Sequence, residues 1–451
     1  MSTNSESLQI TTPPSYLTAR ERVGFGLLGL FVLAMVAAAF GLGSAEPSLT
    51  FWLIAGTMIV GSLLYFGRYA RRPAGIQNDK MRSLPLLNRG AIGWTLGVVL
   101  TGFYVILYWF PWYLEHFIRA FDPLSQVLRD RPADQWFLYG FFYTAAVVVM
   151  GWRAILRYRH ERHQIIRTIS VAFFQLGFAF LLPSLLLRFN QPELYFSYFW
   201  PLDYDLLWPG NVGQLAAHPG GLGAFMVFWG AVLTFIATPI LTYFYGKRWY
   251  CSWVCGCGGL AETAGDPFRH LSDKSLKAWR IERWMVHGVL VFIVLTTALL
   301  WVDAATSGGV LGGASGLFSR TYGFFIGAIF SGVVGVGFYP LMGSRVWCRF
   351  GCPMAAVLGL LQKYFSRFRI TTNGGQCISC GNCSTYCEMG IDVRWYAQRG
   401  QDVIRAACVG CGVCSSVCPR GVLRLENGST DSRYRGPILI DRDHVSVLTE
   451  D

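Results

Sequence analysis

Long apolar runs alternate with short, mostly basic loops over the first three quarters of the chain. A helix needs about 20 mostly apolar residues to cross the hydrocarbon core of a bilayer. Eight segments reach that range: 23–43, 49–67, 91–112, 136–152, 169–187, 222–246, 284–302 and 322–342. None contains Asp, Glu, Lys or Arg, and the fourth is the shortest. The pattern predicts an α-helical polytopic membrane protein of about eight transmembrane helices. Residues 1–22 are polar and include Pro13-Pro14, so they read as a tail. The first run is followed only by Gly43-Ser44-Ala45 as a weak cleavage candidate, so it is expected to be a retained span and not a removed signal.

The loops predict orientation. Residues 68–89 hold six Lys or Arg, 153–167 five, 247–283 seven and 345–369 five. The intervening loops hold only Arg119, Arg129, Arg131, Arg188 and Arg320. Basic loops stay in the cytoplasm, so eight spans place both termini there, in a bacterial inner (cytoplasmic) membrane. Composition agrees with lipid contact. Only 14% of the 451 residues are charged and 53% are hydrophobic, with 33 Phe, 21 Tyr and 16 Trp. A soluble domain carries about 25% charged residues. The net charge of +12 sits beside apolar runs, as membrane anchors do, which argues against nucleic acid as a partner.

All 13 cysteines lie after residue 250. The last eight read Cys377-x2-Cys380-x2-Cys383-x3-Cys387 and Cys408-x2-Cys411-x2-Cys414-x3-Cys418-Pro419. This is the bacterial two-cluster ferredoxin spacing, given twice. Three cysteines in a tight loop reach three irons of one cube, and the fourth ligates the neighbouring cluster. One [4Fe–4S] cluster is therefore expected on Cys377, Cys380, Cys383 and Cys418, and a second on Cys408, Cys411, Cys414 and Cys387. Gly381, Gly410 and Gly412 would let the backbone wrap closely around the sulfurs. A zinc ribbon would need paired C-x2-C units instead. Glu388 follows Cys387 where the motif usually has Pro, which is expected to alter the local turn without removing a ligand.

The other cysteines follow the sixth and eighth runs. Arg248-Trp249-Tyr250-Cys251-Ser252-Trp253-Val254-Cys255-Gly256-Cys257 and Arg345-Val346-Trp347-Cys348-Arg349-Phe350-Gly351-Cys352-Pro353 each give Arg-x2-Cys-x3-Cys. A span plus a motif, used twice, reads as an internal repeat. If each unit is helical, positions i and i+4 share a face, and Cys251, Cys255, Cys348 and Cys352 could hold a third metal centre. A redox dithiol couple and plain packing are the alternatives, and Cys257 could replace Cys255. Arg248 and Arg345 would offset thiolate charge.

Spans followed by such motifs and a double ferredoxin domain resemble the NosR/NapH-type membrane-bound polyferredoxins, over roughly residues 222–422. That family serves nitrous-oxide and periplasmic nitrate respiration, and a relative acts in cytochrome oxidase assembly. The first motif departs from the family in having Gly256 and Cys257 where Pro is usual. The flavin-bearing periplasmic domain of the longer NosR proteins has no counterpart here, and the extra spans have none in the family. The resemblance implies an electron-transfer subunit, not a stand-alone enzyme. It would relay electrons between the quinone pool or a cytoplasmic donor and a partner respiratory or redox enzyme. The alternative is an assembly factor that reduces a metal or disulfide in a partner.

The expected division is a cytoplasmic tail (1–22), a six-span region (23–246), two spans with the juxtamembrane motifs (247–369), a two-cluster α+β ferredoxin domain (370–425) and a C-terminal tail (426–451) that turns at Asn427-Gly428. The 190–221 loop, with Tyr195, Phe196, Phe199, Trp200 and Trp208, reads as an interfacial aromatic belt, or as a docking face or the rim of a quinol pocket. His287, inside the seventh run, reads as a structural histidine, with a quinone contact as the other reading. His160 and His163 read as solvated. A transporter would carry charges within its spans, and these carry none.

Overall fold

The computed structural model describes residues 17–72, 74–75, 89–310 and 312–427, together with two short strands beyond them. Most of the predicted N-terminal tail and Gly428 of the predicted turn lie outside the described residues. Among the described residues, eight helices are long and apolar enough to cross a membrane: Ala19–Ala39, Pro47–Arg71, Ala91–Trp109, Gln135–Arg157, Arg162–Arg188, Leu222–Tyr245, Leu276–Ala305 and Ser315–Val334. The first starts before its apolar run because Thr18 and Glu21 cap it reciprocally, each side chain meeting the other's backbone N–H. The fourth is a full span of 23 residues, since polar Arg153 and Arg157 extend its apolar run.

Spans five, six and eight each contain a widened, π-helical stretch, at Phe174–Leu181, Leu233–Ala237 and Gly323–Val334. In the first two, Pro183 and Pro239 follow directly. Proline lacks the N–H and crowds the carbonyl four residues back, so the preceding turn widens. These three spans surround the juxtamembrane cysteines. Phe330 of span eight packs edge-on against Trp347, one residue before Cys348.

The loop between spans five and six is more than an interfacial belt. It folds back into the bundle. Phe199 is buried and meets the Tyr250 ring at 5.0 Å. The Tyr250 hydroxyl donates to the Ser197 carbonyl at 2.8 Å, and Trp229 Nε1 to that of Phe196 at 3.2 Å. Trp200 and Trp208 both donate to Thr297 Oγ1, inside span seven. Non-helical backbone at membrane depth survives only where protein buries it and satisfies its carbonyls, as the Tyr250 hydroxyl and Trp229 Nε1 do here.

The C-terminal domain closes with strand β1 (Arg369–Thr372) antiparallel to strand β2 (Leu423–Glu426), with Ile370 opposite Leu425. Its two cysteine loops lie between these strands in sequence. Within the C-terminal tail, Ile438–Ile440 and Val445–Val447 pair antiparallel.

Candidate iron–sulfur sites and juxtamembrane thiols

Each ferredoxin loop turns on glycines with positive φ: Gly381 (77°), Gly410 (63°) and Gly412 (76°). The chain thereby wraps two small cavities. One is lined by Cys377, Cys380, Cys383 and Cys418, the other by Cys387, Cys408, Cys411 and Cys414. The structure thus brings each fourth cysteine to the other run's cavity. Among the described residues no three His, Cys, Asp or Glu converge tightly enough for a single metal ion. A zinc site would hold sulfurs at about 2.3 Å from one centre. A cube sets each thiolate on a different iron and spreads the four apart. Four cysteines around one cavity fit the cube. Burial pushes the Cys383 and Cys408 thiols up to about 11, so they keep their protons until a metal displaces them.

The two loops differ in setting. The 408–411 loop is seated on the membrane domain. Gln362 Nε2 donates to the Cys408 carbonyl at 2.8 Å, Ser252 Oγ to that of Val409 at 2.8 Å, and Gln164 Nε2 to that of Cys411 at 2.9 Å. A Cβ on Gly412 would lie 3.1 Å from the His163 ring, so His163 is packed under this loop and not solvated, whereas His160 is exposed. The 377–383 loop faces outward, with Cys380 and Ile378 exposed.

Both juxtamembrane motifs start at a glycine with positive φ, Gly246 (65°) and Gly343 (94°), which turns the chain out of its span. The expected continuous helix through each motif is not formed. Cys251 ends the short helix Arg248–Cys251, and Cys255 caps the next helix, Gly256–Glu262. Cys348 lies in Val346–Phe350, and Cys352 caps Pro353–Phe365. Pro353 favours the first turn of a new helix and interrupts the old one. Each second cysteine therefore sits at a helix N-terminus, where the Cys352 sulfur accepts the Ala355 N–H at 3.4 Å.

The four thiols belong to one buried cluster with Phe199, Tyr250 and Trp347. Burial raises the Cys352 thiol, and Cys348, Cys251 and Cys255 raise it further. Burial likewise pushes Cys251 up to about 12. Side-chain hydrogen bonding with Cys257, and burial, raise the Cys255 thiol. The departure at Gly256 has a steric cause. A Cβ there would lie 2.3 Å from Gln175 Oε1 and 2.4 Å from the Tyr198 hydroxyl.

The two motif arginines diverge. Arg345 Nη1 donates to the Cys251 carbonyl at 3.1 Å and approaches the Cys348 sulfur at 3.6 Å. Arg248 instead lies against Gly410 and the Phe368 ring, away from the thiols. Arg345 also opens a buried ion network that sequence reading did not find. Its Nη2 meets Glu262 at 2.6 Å and Glu388 at 3.0 Å. Arg269 joins Glu388 at 2.7 Å to Asp266 at 2.9 Å, and Asp266 also binds Arg153 and Arg157. Glu262 pairs with Arg167. The only signal in sequence was Glu388 itself, standing where proline is usual.

Sequence families described as "4Fe-4S binding domain" match residues 227–275 and 322–372, and again 402–424. The first two matches cover the two span-plus-motif units. "Putative electron transport protein YccM" of Escherichia coli (strain K12) is 29% identical over 173 residues, 36% of this chain and 47% of that protein. An uncharacterized protein of Methanocaldococcus jannaschii is 25% identical over 168 residues, 36% of this chain and 59% of that one. "Methylamine utilization ferredoxin-type protein MauN" of Paracoccus denitrificans is 26% identical over 193 residues, 41% of this chain and 59% of that one. The chain thus spans about half to three-fifths of the length of these curated relatives. No solved structure matches. The chain is a mostly helical, multi-pass membrane protein with 4Fe-4S binding domains, and [4Fe–4S] clusters are the cofactors these domains take.

Proposed function

We propose that this protein is an iron–sulfur electron-transfer subunit that conducts between the buried juxtamembrane thiols and an outward-facing cluster. The carrying observation is the order of the sites. The juxtamembrane thiols share one buried cluster with Cys383, Cys408 and Cys414, and it is the 408–411 loop that bonds directly beside them: Ser252 Oγ, next to Cys251, donates to the Val409 carbonyl at 2.8 Å. The cavity of Cys387, Cys408, Cys411 and Cys414 is seated on the membrane domain, and that of Cys377, Cys380, Cys383 and Cys418 opens away from it. The first set of four would hold the inner cluster and the second the outer one. Burial and hydrogen bonds to sulfur tune the potentials. Resemblance to NosR/NapH-type polyferredoxins, and the names of YccM and MauN, support a respiratory or catabolic partner enzyme, with the quinone pool or a soluble donor at the other end.

The Cys255–Cys257 contact favours a second reading for the juxtamembrane site, a dithiol. Oxidising two thiols to a disulfide releases two protons and two electrons, and two clusters accept one electron each. Such a couple would suit an assembly factor that reduces a partner's disulfide or metal. A third iron–sulfur centre on Cys251, Cys255, Cys348 and Cys352 is the competing occupant, supported by the family matches over both motifs. Iron counting on anaerobically purified protein separates them. A third centre predicts about twelve irons in the wild type and a loss of about four in a Cys251→Ser, Cys348→Ser variant. About eight irons in both, with electron transfer lost in a Cys257→Ser variant, indicates the Cys255–Cys257 dithiol. Eight irons and unchanged transfer would overturn a redox role for this site.

The basic loops support a cytoplasmic location for the ferredoxin domain. Reporter fusions after Met342 are expected to be active only in a cytoplasmic format, and fusions at Asn211 only in a periplasmic one. The reverse pattern would overturn the orientation.

A further inference from the structure

Span seven, the second motif and the ferredoxin domain enclose a cavity of about 340 Å³. Its lining holds five cationic side chains, Lys247, Arg283, Arg349, Lys363 and Arg405, against one carboxylate, Glu282. Glu282 is already engaged by Arg349 Nε at 2.7 Å. Arg283 and Arg405 lie over the Trp279 ring, 5.0 and 4.6 Å from its centroid. Lys247 is the telling residue. It is only 2% exposed, and its Nζ reaches the Ala406 carbonyl at 3.3 Å. Among the described residues it forms no ion pair with a carboxylate. A buried ammonium is strongly disfavoured without a compensating anion; the thiolates of an inner cluster at Cys408 would supply part of that charge, and the cavity still holds five cations against one carboxylate.

The cavity lies at headgroup depth. The apolar run of span seven starts at Trp284, next to Arg283, and Trp284 is 83% exposed on the bundle's outside. Tyr364 and Phe365, which end the helix after the second motif, are exposed as well. Basic pockets between helices on this side of a membrane take acidic lipid headgroups. The volume is at the small end of ligand sites, enough for a headgroup whose acyl chains stay in the bilayer.

We infer that this cavity binds the phosphate of an anionic phospholipid, with Lys247 as the buried counter-charge and Arg283 and Lys363 at the rim. The lipid would pin the ferredoxin domain to the bilayer beside Cys348 and the residues leading into Cys408. A neutral quinone would leave the surplus charge uncompensated.

Native mass spectrometry of the intact, cluster-loaded protein in detergent tests this, with dioctanoyl phosphatidylglycerol against dioctanoyl phosphatidylcholine. The phosphatidylglycerol is expected to bind at least about tenfold more tightly, since each basic residue near a membrane surface adds roughly fivefold and two stand at the rim. An Arg283→Ala, Lys363→Ala variant should lose most of that preference while keeping the wild-type cluster absorbance, because both residues are at the rim. Equal binding of the two lipids, or an unchanged preference in the variant, overturns the assignment. Displacement of the lipid by millimolar inorganic phosphate would assign the site to the free anion, and displacement by decylubiquinone alone to a quinone. Either result overturns the lipid.

Discussion

Cys418→Ser is expected to strip the cluster of Cys377, Cys380 and Cys383, its distant partners, and to spare the cluster of its own sequence neighbours. The reason is the crossed lining of the two cavities. Cys387→Ser should do the reverse. Each single variant should lose about four of eight ferredoxin irons. The two should not be equally harmful. The outward loop contributes little to seating the domain, so Cys418→Ser should leave the membrane-facing loop held by Gln164, Ser252 and Gln362. Cys387→Ser empties the cavity on which that seating depends. Because cluster binding is part of folding energy, it should lower thermal stability further. Iron and sulfide counts, with electron paramagnetic resonance of the reduced protein, separate the two signals. If each substitution removes only the cluster of its own run, the ligand sets proposed here are wrong.

Local pattern carried the reading a long way. Eight apolar runs became eight span-length helices, because lipid-facing helices leave their composition on every residue. The cysteine spacings carried the cavities for the same reason, since ligands to one cube must lie close in a tight loop. What was not legible depends on contacts between distant segments. The 190–208 stretch has the aromatic content of an interfacial belt, and its bonds to Tyr250, Trp229 and Thr297, all distant in sequence, reveal that it folds inward. The basic loops were counted as topological signals. Arg153, Arg157, Arg167, Arg269 and Arg345 are instead buried in ion pairs with Glu262, Asp266 and Glu388. Charge counting cannot tell a solvated arginine from a buried one. The helical face expected for Cys-x3-Cys failed at Pro353 and Gly256, residues that start new helices.

Glu388→Gln should weaken the junction between the ferredoxin and membrane domains more than any other single change outside the cysteines. Glu388 is 1% exposed, receives Arg269 and Arg345, and its carbonyl accepts from Ser272. Burial alone would push its carboxyl up, but the Arg269 and Arg345 guanidiniums hold it below the usual carboxylate range. Its contribution is therefore present at neutral pH and declines as pH falls below the ordinary carboxylate pKa of about 4.3. Removing one partner of a buried pair leaves the other charge uncompensated, at a cost of about 3–5 kcal/mol. That is a large part of a domain's total stability of roughly 5–15 kcal/mol. The variant should lose cluster absorbance at a lower temperature than wild type and expose the 366–369 linker to trypsin, which cuts after Arg367 and Arg369. A second effect separates electrostatics from mere loosening. Glu388 adjoins Cys387, so the lost negative charge should raise the potential of the inner cluster and leave the outer one unmoved. A 59 mV rise would correspond to about 1.4 kcal/mol for one electron. Equal shifts of both clusters, or none with unchanged melting, would show that this glutamate only fills the space left by the missing proline.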